Sequence, residues 1–367
     1  MPQEDSAAKQ INVLVVDDSA VVRQVLEAIL SQEPEMSVTV ASDPLIAQQK
    51  MARSRPDVIV LDLEMPRMDG LTFLRKIMAE DPIPTVICSG VAVRGTEAAL
   101  RALDDGAVGI ITKPKLGVRN FLYESGVVLT DMVRSAARAK IRRRFSPQVP
   151  LRRGTAVAHR QSQPAPGISS KQLVAIGAST GGTEALTEIL TAMPANSPAI
   201  VVVQHMPEVF TAAFANRLNQ LCEIEVKEAE HGDRITTGRA LIAPGNRHMS
   251  VRRRGGQLLA EISEGPLVSR HRPSVDVLFR SVSQAAGADA LGVILTGMGN
   301  DGAEGLLEMK NAGATTIAQN EASCVVFGMP KEAIQCGAVD VVLSLSDIAI
   351  KLQMMGAGAL QLNSSRP

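Results

Sequence analysis

The chain has 367 residues, and its 38 Lys and Arg side chains are balanced by 38 Asp and Glu side chains, so the net charge is zero. A chain of this length is expected to hold two or three domains. Its hydrophobic share of 45% excludes a disordered protein, and its aromatic share of 2% argues against single-stranded nucleic-acid binding by base stacking. No apolar run approaches the roughly 18 residues of a membrane-spanning helix, and the N-terminus lacks the hydrophobic stretch of a secretory signal.

The cysteines indicate a reducing compartment. The four of them are far apart in the sequence and form no CxxC pair: Cys88, Cys222, Cys324 and Cys336. This spacing argues against a disulfide framework or a structural zinc site, and it is typical of a protein in the reducing cytoplasm. The lack of a long apolar run predicts that the chain does not insert into a membrane.

Charge divides the chain into three parts. Residues 1–128 carry 13 basic and 18 acidic side chains, residues 129–170 carry 9 and 1, and residues 171–367 carry 16 and 19. The basic middle part contains Arg142, Arg143 and Arg144 and is rich in proline and serine, which is typical of a helix tail running into a flexible linker. Such a linker is either a solvated hinge or an electrostatic contact with an acidic partner or neighbouring domain. The predicted units are therefore a first domain over 10–128, the linker over 129–170 and a second domain over 171–360.

The first domain is predicted to alternate strands and helices. Five short β-branched runs are the candidate strands: Ile11–Val16, Val38–Ala41, Val58–Leu61, Thr85–Cys88 and Val108–Ile111. The segments between them have helical spacing of apolar residues, which favours a parallel sheet with helices on both faces. In such sheets the chemistry gathers at the carboxyl ends of the strands.

Polar side chains follow these strands. Asp17 and Asp18 end the first strand, Asp62 the third, Ser89 the fourth and Lys113 the fifth. Three carboxylates suit Mg²⁺, a single carboxylate can accept a phosphoryl group, and an ammonium and a hydroxyl can bind phosphate oxygens. Taken singly, the aspartates can also be helix caps and the lysine a surface charge. Their placement at the ends of four strands favours a shared site.

The motifs VVDDSA, LDLEMPRMDGL and TKP resemble the receiver domain of two-component response regulators over residues 10–128. The resemblance implies a flavodoxin-like (βα)₅ fold and phosphorylation of Asp62. It implies that Mg²⁺ is held by Asp17, Asp18, Asp62 and a backbone carbonyl near Glu64. It also implies that Ser89 and Lys113 respond to the phosphate, and that the peptide bond before Pro114 is cis.

The second domain also places polar residues after apolar strands. The strand Leu173–Ile176 runs into a glycine-rich turn that holds Ser179, and the strand Ala199–Val203 is followed by His205. Much later in the chain, Val293–Leu295 leads through a Gly-Met-Gly turn to Asp301. We expect a second doubly wound parallel sheet with these side chains at its carboxyl edge.

The glycine-rich turn has two interpretations besides a simple helix cap by Ser179 or Thr180. Dinucleotide binding requires a glycine where Ser179 stands and an acidic residue at the end of the next strand, where His205 stands. An exposed nucleophile requires G-x-S-x-G between strand and helix, which Gly177, Ser179 and Gly181 satisfy. The sequence therefore favours the nucleophile.

A serine nucleophile needs a base and a carboxylate that orients it. His205 is the candidate base because it alone ends an apolar strand, whereas the other histidines lie in the linker or in polar segments: His159, His231, His248 and His271. Asp301 is the candidate carboxylate, although it can also cap the following helix, and the Met298 amide is a candidate oxyanion donor. The order Ser, His, Asp differs from that of α/β-hydrolases.

The motifs GASTGG, QHMP, IAPG, HRPSVDVLF, TGMGNDGA and AQNEASCVVFGMP resemble the catalytic domain of bacterial chemotaxis methylesterases, the CheB family. With the receiver motifs and KPKLGVRN, the resemblance covers about nine-tenths of the chain. It implies the triad Ser179, His205 and Asp301, with Thr180 and Met298 in support. The one slight departure is the segment after Ser89, residues 90–93.

The resemblance also implies the reaction and the partners. The implied activity is hydrolysis of glutamate 5-methyl esters on chemotaxis receptors and deamidation of receptor glutamines, with a chemotaxis histidine kinase as phosphodonor. No cofactor is expected in the catalytic domain, and neither nucleic acid nor membrane insertion is implied. We expect the unphosphorylated receiver to pack over the catalytic face and phosphorylation of Asp62 to loosen it.

Two other functions compete with this expectation. A receiver joined to a basic linker is compatible with a DNA-binding regulator, but the second domain is acidic and far larger than a helix-turn-helix. A phosphate-accepting adaptor with an inactive hydrolase domain is the other alternative. An intact set of Ser179, His205 and Asp301 argues against it.

Overall fold

The computed structural model describes residues 10–90, 93–113, 119–141 and 173–363. The expected cis bond before Pro114 and the arginines at 142–144 lie outside these residues. Within them, two parallel sheets form two α/β domains, as the sequence predicts. None of the described helices is long and apolar enough to cross a bilayer.

The first domain is a five-stranded sheet with helices on both faces. Its elements are β1 (Ile11–Val16), α1 (Ala20–Leu30), β2 (Met36–Ala41), α2 (Pro44–Arg53), β3 (Val58–Leu61), α3 (Gly70–Glu80), β4 (Thr85–Ser89), α4 (Val93–Asp104), β5 (Gly109–Thr112) and α5 (Arg119–Ala137). The strands pair in parallel in the order β2-β1-β3-β4-β5. All four residues of β3 are buried, so the central strand is apolar on both faces.

Helix α5 continues through residue 128, where the sequence analysis places the domain boundary. Leu129, Val133 and Ala136 are fully or almost fully buried against the first sheet. The predicted helix tail is therefore the last part of α5, packed on the first domain.

The second domain has seven parallel strands and an antiparallel hairpin. Its elements are β6 (Leu173–Ala178), α6 (Gly182–Thr191), β7 (Ala199–Gln204), α7 (Glu208–Leu221), β8 (Glu225–Glu228), β9 (Arg239–Ile242), β10 (His248–Arg254), β11 (Gln257–Ser263), α8 (Val275–Ala286), a 3₁₀ turn (Gly287–Asp289), β12 (Ala290–Ile294), α9 (Ala303–Asn311), β13 (Thr315–Gln319), α10 (Met329–Gln335), β14 (Val341–Leu343) and α11 (Leu345–Asn363). The sheet order is β14-β13-β12-β6-β7-β9-β8, and β10 pairs with β11.

The strand order of the second sheet positions a site. From β6 the chain proceeds to β7 on one side and later returns to β12 on the other, so the order reverses at β6. Open α/β sheets bind ligands outside the carboxyl ends of the strands at such a reversal. The residues that follow β6, β7 and β12 are Ser179, His205 and the loop to Asp301.

The first domain packs on this edge through α5 and its neighbours. Helix α4 contacts α6 and α7. The Gly181 amide donates to the Val108 carbonyl at 3.3 Å, and the Lys140 amide donates to the Val325 carbonyl at 2.9 Å. In the basic stretch after α5, the Lys140 ammonium also pairs with Glu321 at 2.8 Å. The described end of that stretch thus contacts the second domain electrostatically.

Candidate active site

Ser179 lies directly after β6 and is 8% exposed. Its amide donates to the Thr296 carbonyl at 3.0 Å, and its carbonyl accepts from Nε2 of Gln204 at 3.0 Å. The N-cap of α6 is Gly181, with φ at 76° and no side-chain capping bond. Neither Ser179 nor Thr180 therefore caps the helix, and the serine side chain is left for chemistry.

A glycine makes room for this serine. A Cβ atom on Gly297 would lie 2.7 Å from the Ser179 Cβ and 2.3 Å from the Met329 Sδ. Both distances are shorter than van der Waals contact, so a larger residue at 297 would displace the serine. The glycine of the predicted Gly-Met-Gly turn is thus required by packing around Ser179.

A hydrogen bond joins His205 to Asp301. Nε2 of His205 lies 2.8 Å from Oδ2 of Asp301, and the two side chains are 6% and 1% exposed. Asp301 does not cap its own helix, because the N-cap of α9 is Gly302 without a side-chain bond. The carboxylate is free to orient the imidazole.

The start of α8 holds the Asp301 carboxylate in place. Oδ1 accepts the Ser274 hydroxyl at 2.7 Å and the Asp276 amide at 3.0 Å, and Oδ2 accepts the Val275 amide at 2.8 Å. Burial raises the pKa of Asp301, but the hydrogen bond and charge of His205 together with these donors outweigh burial and lower it to about 2. Asp301 is therefore ionised at neutral pH.

Only one ring nitrogen of His205 is hydrogen-bonded within the described part of the chain. Nδ1 is buried, and it has no hydrogen-bond partner among the described residues. Ser179 and His205 line the same cavity, but no hydrogen bond joins them in this structure. Such bonds in enzymes without substrate are often long and tighten in the substrate complex. With Nε2 held by Asp301, Nδ1 is the nitrogen available to a nucleophile.

His271 borders the same cavity, although the sequence predicts only a loop or short strand in a polar segment there. Its ring stacks on His205 with centroids 3.7 Å apart and planes 7° from parallel. Its Nδ1 lies 2.6 Å from the Ser269 carbonyl oxygen. Burial, reinforced by the charge of His205, lowers the pKa of His271 to about 3, so this ring is neutral at neutral pH.

A tight turn places His271 on His205. Val268 and His271 exchange backbone hydrogen bonds, and the two residues between them are left-handed, with φ at 49° for Ser269 and 65° for Arg270. These values are those of a two-residue hairpin turn, a conformation that costs free energy in residues other than glycine. The only sequence signal for His271 was its place within the motif HRPSVDVLF.

The remaining described histidines are outside the cavity, although Nδ1 of His248 accepts the Ser274 amide at 3.3 Å next to Asp301. Nε2 of His248 is 2.9 Å from the Pro266 carbonyl oxygen, and Nδ1 of His231 is 3.3 Å from the Ile262 carbonyl oxygen. Neither of them lines the cavity at Ser179.

The two candidate supporting residues also border the site. Thr180 and Met298 line the same cavity as Ser179. Neither backbone amide donates to an acceptor within the described ranges. The Thr180 hydroxyl is 2.7 Å from the Ser135 hydroxyl on α5 and 3.8 Å from the Met132 Sδ, so it is engaged by the first domain.

A second cluster lies at the carboxyl edge of the first sheet. Carboxylate oxygens of Asp17, Asp18 and Asp62 lie within 4.8 Å of one another, with Asp18 exposed and the other two buried. The Lys113 ammonium is 2.9 Å from Asp17 and 2.8 Å from Asp62. Ser89 ends β4 with its hydroxyl 3.3 Å from the Gly90 carbonyl oxygen. All five residues occupy the strand ends to which the sequence analysis assigned them.

The electrostatics of this cluster suit a cation. Burial raises the pKa of Asp62, and the nearby Asp17 charge raises it further. The Lys113 ammonium lowers this pKa but does not outweigh burial. Burial lowers the pKa of Lys113, but its contacts with Asp17 and Asp62 outweigh burial and raise it. Three carboxylates, one of them open to solvent, are the kind of ligands that would suit Mg²⁺.

Both domains of the chain are similar to known proteins. The family described as CheB methylesterase matches residues 174–352, and the family described as response regulator receiver domain matches residues 13–118. A protein of Anaeromyxobacter dehalogenans, named protein-glutamate methylesterase/protein-glutamine glutaminase 1, is 58% identical over 341 residues, which cover 92% of this chain and 97% of that protein. A protein of the same name from Photobacterium profundum is 56% identical over 348 residues, which cover 91% of this chain and 97% of that protein.

A solved structure is also similar. The CheB methylesterase catalytic domain of Thermotoga maritima is 40% identical, with a TM-score of 0.49, and the match covers 51% of this chain and 99% of that one.

Proposed function

This chain belongs to the CheB methylesterase family, and we propose that it hydrolyses the 5-methyl esters of glutamates on chemotaxis receptors and deamidates receptor glutamines at the same site. The proposed catalytic residues are Ser179, His205 and Asp301. One observation carries the assignment: these residues follow adjacent strands at the sheet reversal, and a 2.8 Å hydrogen bond orients the imidazole on a buried carboxylate.

The reaction begins with attack by the serine. Ser179 Oγ attacks the ester carbonyl carbon while its proton passes to Nδ1 of His205, the nitrogen that Asp301 leaves available. The ionised Asp301 stabilises the resulting imidazolium. The carbon–oxygen bond to the leaving group breaks, and methanol departs with that proton.

Water completes the cycle. It adds to the acyl-enzyme carbonyl as His205 accepts its proton, the bond to Ser179 breaks, and the serine recovers the proton. The products are the glutamate carboxylate and methanol. With a glutamine side chain, the same two steps release ammonia.

The amides of Thr180 and Met298 are the proposed oxyanion donors. Both flank the serine in the same cavity, and neither has an acceptor among the residues that the structure describes. The Ser179 amide is already bonded to Thr296, which leaves these two as the candidates. Pre-oriented donors of this kind stabilise the negative charge that develops on the carbonyl oxygen.

The first domain is the proposed switch. Asp62 accepts a phosphoryl group from a chemotaxis histidine kinase, and Asp17, Asp18 and Asp62 hold Mg²⁺. When bound, the cation neutralises phosphoryl charge during transfer. Lys113 pairs with the phosphorylated side chain, and Ser89, at the neighbouring strand end, responds to it.

Without phosphate, α5 covers the catalytic edge. Ser135 bonds Thr180 beside the nucleophile, and Asp131 lies 3.4 Å from Arg270 on the turn that carries His271. Asp104 of α4 pairs with Arg217 of α7. Phosphorylation at Asp62 loosens this packing and lets a receptor helix reach Ser179.

The proposed setting is the cytoplasm, with receptors as substrates and no nucleic-acid partner or membrane insertion. All four cysteines are free thiols in the structure, which supports a reducing compartment.

Methanol release from methylated receptor membranes tests the proposal. Wild type, Ser179→Ala and Asp62→Ala are compared with and without a small phosphodonor and Mg²⁺. Release should require Ser179 and should rise with the phosphodonor only when Asp62 is present. If wild type releases no methanol in any condition, the proposed activity is wrong.

A further inference from the structure

A cavity separates part of α5 from the catalytic edge. Its volume is about 630 Å³, and Ser179, His205 and Met298 line its floor. Val128, Met132 and Ser135 of α5 form part of its roof. The first domain therefore covers the nucleophile without filling the space above it.

Among the residues that the structure describes, the cavity is open to solvent while α5 is in place. Three of its lining residues are well exposed: Val128 at 44%, Leu267 at 40% and Arg270 at 69%. Ser179 itself keeps an exposed fraction of 8%. Val128 and Leu267 thus form a mouth of the cavity within the described residues, and Ser179 lines the same cavity.

The receptor cannot use the same route. A helix is about 10–12 Å across with its side chains, and α5 already occupies the surface at Thr180 through Ser135 and Met132. A volume near 630 Å³ is within the range of pockets that enclose small ligands. The closed arrangement therefore excludes a helix but has room for one ester group with a short chain on each side.

We propose that the first domain gates the active site by substrate size, and that the unphosphorylated protein is a hydrolase of small free carboxylic esters. This inference rests on the proposed function of Ser179, since it uses the same nucleophile. Phosphorylation then increases the access of the receptor to Ser179 and leaves the access of a small ester to Ser179 almost unchanged.

The small-ester reaction balances without any further reactant. Ser179 Oγ forms a bond to the carbonyl carbon and the alkoxide leaves, taking the proton that His205 received from the serine. Water then supplies hydroxide to the acyl carbon and returns a proton through His205 to Ser179. The net change is ester plus water to carboxylic acid plus alcohol.

The test uses two substrates with the same reacting group. One is N-acetyl-glutamate 5-methyl ester whose α-carboxyl group is converted to an amide. The other is methylated receptor in membranes. Methanol release is measured with the full chain, with and without phosphodonor and Mg²⁺, and Ser179→Ala gives the background. The phosphodonor should change kcat/KM for the small ester by less than about threefold while raising receptor hydrolysis at least about tenfold.

A variant at the cavity mouth makes the test specific. Val128→Trp places a large ring at an exposed position of the mouth and should lower small-ester hydrolysis by the unphosphorylated protein at least about fivefold. Its receptor hydrolysis in the phosphorylated state should stay within about twofold of wild type. Leu45→Trp, at an exposed position of α2 away from the cavity, is the matched control and should leave both rates unchanged.

The outcomes separate the two claims. If the phosphodonor raises small-ester and receptor hydrolysis by the same factor, the closed state excludes all substrates and the size gate is wrong. The same conclusion holds if receptor is hydrolysed in a Ser179-dependent way but the small ester is not. If neither substrate releases methanol, the proposed function itself fails.

Discussion

Oδ2 of Asp301 lies 2.8 Å from Nε2 of His205, and the same carboxylate receives three hydrogen bonds from the start of α8. Asp301 thereby links His205, which follows β7, to the start of α8, which is distant from His205 in the sequence. Because both carboxylate oxygens are held by these bonds, the carboxylate has one orientation, and so does the imidazole.

Replacing this carboxylate should disable the base. Asp301→Asn puts an amide opposite Nε2 and no longer stabilises the imidazolium, so kcat for methanol release should fall about 10³–10⁴-fold. Asp340→Asn is the control, since this carboxylate accepts from the Thr316 amide and hydroxyl and does not line the cavity at Ser179. Comparable losses in both variants would show that Asp301 acts only through folding.

His271 should make the free energy of unfolding depend on pH. Its pKa of about 3 in the folded protein is below the ordinary 6.5, so at pH 5 the unfolded chain binds a proton that the folded protein does not. Stability should therefore fall as the pH drops from about 7 toward 3, by about 2 kcal/mol between pH 7 and 5. His271→Gln removes this contribution. Urea unfolding at both pH values measures it, and an equal acid loss in variant and wild type would contradict the prediction.

The hydroxyl pair across the domain interface should hold the closed state. Ser135→Ala removes a buried hydrogen bond to Thr180, worth about 0.5–1.5 kcal/mol, so receptor hydrolysis without phosphodonor should rise about two- to tenfold. Thr130→Ala on the same helix is the control, because its hydroxyl bonds the Val127 carbonyl within α5. Unphosphorylated rates are the measurement, and an unchanged rate in Ser135→Ala would show that this bond does not restrain the domain.

Removing divalent cations should abolish activation by the phosphodonor and leave the unphosphorylated rate of hydrolysis in place. Excess EDTA should abolish stimulation by the phosphodonor, because the single Lys113 ammonium does not balance three carboxylates and the incoming phosphoryl charge. The unphosphorylated rate should remain within about twofold, since the triad uses no metal in the proposed mechanism. Asp62→Asn should reproduce the EDTA result. Loss of the basal rate in EDTA would place a required cation at the catalytic edge.

Much of this arrangement follows from local sequence. The strands are short β-branched runs, and the polar residues after them reach one sheet edge because parallel strands all end there. The cluster around Asp62 and the placement of Ser179 and His205 at one sheet edge could be anticipated for that reason.

Other features depend on distant parts of the chain. His271 meets His205 only because a left-handed turn at Ser269 and Arg270 folds the loop back, and neither residue type predicts that conformation. The packing of α5 over Thr180 depends on how two domains meet, which periodicity within one domain does not encode.

The nucleophile is the central claim, and labelling tests it most directly. The full chain is incubated with a fluorophosphonate, which forms a stable bond to an activated serine, and its peptides are analysed by mass spectrometry. Label should be found on Ser179, and His205→Ala should slow labelling at least about 100-fold because the base is gone. Label on a different serine, or no label on a protein that still releases methanol from receptors, would contradict the account.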